Sequence, residues 1–93
     1  MLHLDSTSVD ALTSIGLACV QLRRWDDGID AFEDAVALEP DSSVNLLRLG
    51  VLYDRVGRVD DGIKVLHRVL ELDPHNEAAQ RTLTKLQQDN TGG

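Results

Sequence analysis

The sequence predicts an all-α fold: an α-solenoid of antiparallel helix pairs with five helices. Three observations predict it. A 34-residue internal repeat runs through the chain, a period that belongs to stacked helix–turn–helix units. Within each copy, apolar residues recur at spacings of three and four, as on one face of a helix. Prolines, glycines and N-capping side chains punctuate both copies at the same places,.

The register is explicit. Pro40 and Pro74 are 34 residues apart, as are Gly16 and Gly50, Leu12 and Leu46, Gly28 and Gly62, Ile29 and Ile63, and Leu38 and Leu72. Asp26-Asp27-Gly28 recurs as Asp60-Asp61-Gly62. Ser8, Ser42 and Asn76 align with one another, and each is a residue type whose side-chain oxygen takes an orphan N–H at a helix start.

The elements follow in order. The first helix is expected over residues 9–22, with Leu12, Ile15, Gly16 and Cys19 on one face. Arg23-Arg24 makes a tight turn into a second helix over 25–38, where Ile29, Phe32 and Val36 share a face. Pro40 stops it, because proline disfavours helical geometry in the residue before it. The third and fourth helices are expected over 43–56 and 59–72, joined by Gly57-Arg58, with Pro74 as the stop. Gly57 suits the left-handed conformation that ends a helix. A fifth helix is expected over 77–89 and a disordered tail over 90–93. Leu4-Asp5 aligns with Leu38-Glu39 and Leu72-Asp73, so residues 1–8 read as the tail of a preceding repeat or a flexible start.

Composition narrows the function classes. The 93 residues carry a net charge of −7, which argues against a nucleic-acid partner bound through its phosphates. The aromatics are only Trp25, Phe32 and Tyr53, too few for the stacking platforms of a single-strand binder. No apolar run is long enough to span a bilayer, and the first residues do not form a secretory signal. Cys19 is the lone cysteine; it forms no internal disulfide and leans the chain towards a reducing, cytoplasmic setting.

No catalytic constellation emerges, so the chain reads as a non-enzyme with no cofactor. His3, His67 and His75 lack a second ligand at metal-site spacing,. Cys19 is expected on a packed face as a small hydrophobe. Gly16 and Gly50 sit within helices and build no phosphate loop. Asp26, Asp30, Glu33 and Asp34 fall on one side of the second helix. They read as a solvated face, with an acidic patch for a basic partner as the alternative.

These residues resemble the tetratricopeptide repeat. The first copy carries the family's pattern as Leu12, Ile15-Gly16, Cys19, Gly28, Phe32 and Pro40, and the second as Leu46, Leu49-Gly50, Tyr53, Gly62, Leu66 and Pro74. The resemblance implies a right-handed solenoid with one unit over 9–42, a second over 43–76 and a capping helix over 77–89. Gly16 and Gly50 would admit close helix approach, while Leu12, Ile15 and Phe32 fill the seam. Ala78, Ala79, Leu83 and Leu86 would cover the second unit, and Gln80, Arg81, Lys85, Gln87 and Gln88 would face water. The sequence departs from the family where Gly28 and Gly62 replace its usual alanine and Cys19 its usual tyrosine.

In this family the first helix of each pair lines a concave groove where peptides lie. Helical phase then assigns to the groove Thr13, Leu17, Val20 and Gln21; Leu47, Arg48, Val51, Asp54 and Arg55; and Arg81 and Lys85. One end is apolar and the other carries four basic groups against one acid, a reversal of sign that suits an acidic group or C-terminal carboxylate on a peptide. The expected function is a protein–protein interaction module, a scaffold or adaptor. A self-associating module is the alternative, through the apolar strip of Leu17, Val20, Leu47 and Val51 or through the uncapped N-terminal stack. A regulatory segment of a larger enzyme is third. Some members clamp the acidic tails of chaperones with Lys, Asn and Arg. Thr13, Leu17, Arg48, Ala78 and Thr82 stand at those places here, so no such clamp is expected.

Overall fold

The computed structural model describes residues 8–91, so the expectations for residues 1–7 and 92–93 lie outside the described residues. Five helices are present: α1 (Val9–Gln21), α2 (Trp25–Leu38), α3 (Ser43–Val56), α4 (Val59–Leu72) and α5 (Glu77–Thr91). No strand occurs among the described residues. Helix α5 runs to Thr91, past the break expected after Asp89, because neither glycine nor proline intervenes before Gly92. Helix α1 ends at Gln21, with Leu22 as its C-cap.

The N-caps set the start of each first helix. Ser8 Oγ accepts from the Ala11 N–H at 3.4 Å, Ser42 Oγ from Asn45 at 3.3 Å, and Asn76 Oδ1 from Ala79 at 2.9 Å. Each such bond contributes about 1 kcal/mol. The turn within the second pair ends on Gly57 at φ 80, and the turn within the first pair bends at Arg23, whose φ is 58. Arg23 is the one non-glycine residue in that region among the described residues.

Each helix packs on the next: α1 on α2, α2 on α3, α3 on α4 and α4 on α5, with α5 also reaching α3. Two buried clusters result. Ile29, Phe32, Leu49, Leu52 and Tyr53 form one between α2 and α3. Leu46, Leu66, Val69, Ala79, Leu83 and Leu86 form the other around α3, α4 and α5.

Two kinds of glycine contact hold the stack. A Cβ on Gly16 would fall 2.7 Å from the Phe32 ring, and one on Gly50 would fall 2.8 Å from Leu66. Those glycines let the two helices of a pair close on each other. Gly28 and Gly62 meet the next helix as well as their own pair: Leu52 sits 3.5 Å and Leu86 2.8 Å from their would-be Cβ atoms, with Cys19 at 3.5 Å and Tyr53 at 3.4 Å.

Two expectations need correction. Ile15 does not fill the seam; it is 41% exposed, whereas its counterpart Leu49 is 3% exposed. Helix α2 covers Leu49, and among the described residues no helix stands in the matching place against α1. The acidic side of α2 is also not wholly given to solvent. Asp26, Asp30 and Asp34 are exposed, but half-buried Glu33 accepts a hydrogen bond from the buried Tyr53 hydroxyl. Arg58 lies over the Tyr53 ring at 4.7 Å and pairs with Asp61 at 2.9 Å. Burial above all, with the Glu33 carboxylate adding to it, pushes the Tyr53 phenol well above its usual range.

Candidate functional site

The helical phase that sends Leu12, Gly16 and Cys19 towards α2 turns positions 13, 17 and 20 towards α3. Thr13 is taken up at that junction: its hydroxyl donates to Asn45 Oδ1 at 3.4 Å. Asn45 is buried and was not singled out from the sequence. It stands with Leu49, Leu52 and Val56 on one face of α3, and a polar residue on that apolar row was the available signal.

Below this tie the groove opens into a cavity of about 230 Å³. Leu17 and Val20 of α1 and Leu47, Arg48 and Val51 of α3 line it, with Phe32 and Leu52 behind them. Leu17 and Val51 remain exposed at 42% and 37%. Five of the expected groove residues therefore meet around one apolar hollow. Phe32 had been assigned only to the core, but together with Leu52 it also forms the floor of this hollow.

Val51 continues into a second depression of about 330 Å³, shared with Asp54, Arg55 and Lys85. Lys85 Nζ lies 3.0 Å from Asp54 Oδ2 and joins α5 to α3. With Lys85 this exposed, the pair contributes well under about 1 kcal/mol. Arg55 stacks on the Trp25 ring at 5.0 Å, at the start of α2. Beyond Lys85, a shallow hollow of about 400 Å³ runs along α5 past Arg81, Gln80, Thr84 and Gln88. Gln21 is exposed and lines none of these three hollows.

The four basic groups thus divide. Lys85 and Arg55 have intramolecular partners. Arg48, half-buried at the edge of the apolar cavity, and exposed Arg81 form no ion pair within the described residues. Among those residues no group of His, Cys, Asp and Glu is arranged to hold a metal ion, and no helix is long and apolar enough to cross a membrane.

Known proteins share this fold. The family model described as tetratricopeptide repeat matches residues 20–86. Sperm-associated antigen 1 of Mus musculus is 29% identical over 70 residues, covering 75% of this chain and 8% of the mouse protein. The crystal structure of MamA superposes with a TM-score of 0.88 at 26% identity, over 96% of this chain and 52% of that one. The first such domain of Spaghetti (RPAP3), bound to the HSP90 peptide SRMEEVD, superposes with a TM-score of 0.86 at 26% identity, over 92% and 68% of the two chains. The chain spans only a small part of the mouse protein and about half of MamA.

Proposed function

The chain belongs to the tetratricopeptide repeat family, and from that premise we propose that it is a protein-interaction module that takes an extended peptide in its concave groove. The observation that carries this reading is the apolar hollow walled by Leu17, Val20, Leu47 and Val51. A solvent-open apolar recess beside a few polar groups is the usual form of a binding site. An apolar peptide side chain enters there, and Arg48 at its rim receives a neighbouring carboxylate. Arg81 extends the positive potential along the groove, against the negative charge of the chain as a whole. The peptide held by Spaghetti supports the reading as an example of what this fold accommodates.

The test is affinity capture from native lysate with the wild-type chain and with Leu47→Glu/Val51→Glu. Partners held by the wild type are expected to be lost with the double variant while its far-UV circular dichroism is unchanged. Undiminished capture by a folded double variant would reject the groove as the site.

A further inference from the structure

The groove holds two hollows that correspond under the repeat. Moved on by 34 residues, Leu17, Val20, Gln21 and Val51 become Val51, Asp54, Arg55 and Lys85. Leu17, Val20 and Val51 line the apolar hollow between α1 and α3. Val51, Asp54, Arg55 and Lys85 line the depression between α3 and α5. The same junction of successive first helices is thus built twice, once from apolar side chains and once from charged ones.

The charged junction is not closed on itself. Arg55 and Lys85 set two positive charges against the one negative charge of Asp54. Lys85 lies 3.0 Å from Asp54, but its side chain is 63% exposed, against 18% for Asp54. An ion pair so open to water is worth too little to resist exchange. Arg55 lies over Trp25 and forms no ion pair among the described residues, so its N–H donors remain for a ligand. A carboxylate brought here replaces Asp54 on Lys85, with Arg55 alongside. The positive balance favours that acid and opposes a basic side chain. Asp54, Arg55 and Lys85 all stand away from the places of the chaperone-tail clamp.

Val51 lines both hollows, so they lie one helix spacing apart, roughly 9 Å. In an extended peptide of polyproline type, three residues make one turn of about 9 Å, and side chains three positions apart face the same way. We propose that the depression of Asp54, Arg55 and Lys85 is a second subsite of the groove. It takes an acidic side chain three positions from the apolar residue seated in the hollow, and Asp54 holds Lys85 until that acid arrives. The subsite rests on the groove being the peptide site, and it adds which side chains the peptide carries. The HSP90 peptide SRMEEVD has no acid at that spacing from its Met or its Val.

The test is titration of the isotope-labelled chain, followed by amide NMR shifts, with the capped peptides GSLPSEPG and GSEPSLPG. These carry the apolar–acidic pair in the two chain directions; GSLPSQPG and GSQPSLPG are their uncharged counterparts. In at least one direction the Glu peptide should bind about threefold tighter than its Gln counterpart, or more, and shift the amides of Val20, Val51, Asp54 and Lys85. Lys85→Gln should remove that preference. Asp54→Asn should widen it about threefold, whereas Asp34→Asn, which removes the same charge from an exposed site on α2, should leave it unchanged. Equal affinity for Glu and Gln peptides in both directions overturns the subsite; shifts confined to Leu17, Val20 and Leu47 would then leave the groove reading intact. A preference that survives Lys85→Gln, or that Asp54→Asn narrows, also overturns it. If no peptide binds, the subsite is rejected, and the capture experiment alone judges the groove.

Discussion

Arg23 and Gly57 occupy the same position in successive pairs and share a left-handed backbone, at φ 58 and φ 80. Glycine adopts that conformation freely; for most other residues the Cβ crowds the carbonyl, at a cost of about 1–2 kcal/mol. The first turn therefore holds a strain that the second avoids. Arg23→Gly should stabilise the fold by about 0.5–1 kcal/mol, since part of the relief is offset by the greater freedom of glycine in the unfolded chain. The urea midpoint should rise with an unchanged m-value. Gly57→Ala should lower it by a similar amount.

The helical glycines divide by what surrounds them. A Cβ on Gly28 meets only ordinary contacts at 3.5 Å, so Gly28→Ala should gain up to about 1 kcal/mol of helix propensity. A Cβ on Gly16 would enter the Phe32 ring; Gly16→Ala should cost about 1–3 kcal/mol through overpacking. Thermal melts of the two variants should move in opposite directions, and a shift of the same sign in both would refute this assignment.

Tyr53 and Glu33 join the two pairs through a part-buried hydrogen bond. Tyr53→Phe should cost about 1 kcal/mol. The pH dependence follows from the upward-shifted phenol, whose ordinary value is 10.0. A group with a raised folded pKa contributes stability in full below its unfolded value and loses it as pH rises above that value. Urea midpoints of the wild type should therefore fall through this residue as the pH rises above about 10, and Tyr53→Phe should flatten that part of the profile.

The HSP90 peptide held by Spaghetti should not bind here. Thr13 is engaged by Asn45, Leu17 lines an apolar hollow, and Ala78 and Thr82 offer no cation. Titration with SRMEEVD should give a Kd weaker than about 1 mM. Micromolar binding would show that Arg48 and Arg81 suffice to hold its carboxylates.

The repeat was legible because sterics and hydrogen-bonding capacity are written residue by residue. Gly16 and Gly50 mark close approach, Pro40 and Pro74 mark helix ends, and Ser8, Ser42 and Asn76 mark helix starts. Helical phase likewise brought Leu17, Val20, Leu47, Arg48 and Val51 to one hollow. What it could not supply was the pairing of long side chains across helices. Lys85 turning to Asp54, Arg55 lying on Trp25 and Tyr53 reaching Glu33 depend on how far neighbouring helices are displaced and rotated, which a periodic pattern does not encode. Ile15 was misjudged for a related reason. Its apolar character fits the seam, but its burial is decided by a neighbouring helix, and the same position is covered in α3.

Trp25 beneath Arg55 gives the molecule a native optical probe. It is the single tryptophan, placed where the end of α3 meets the start of α2, so its emission reports the seam between pairs, whereas far-UV dichroism reports the helices themselves. Neighbouring units in a solenoid are coupled only through such seams. If the pairs part before their helices melt, the two signals separate along a denaturant series, and one spectrometer cell reads the cohesion of the array apart from the stability of its units.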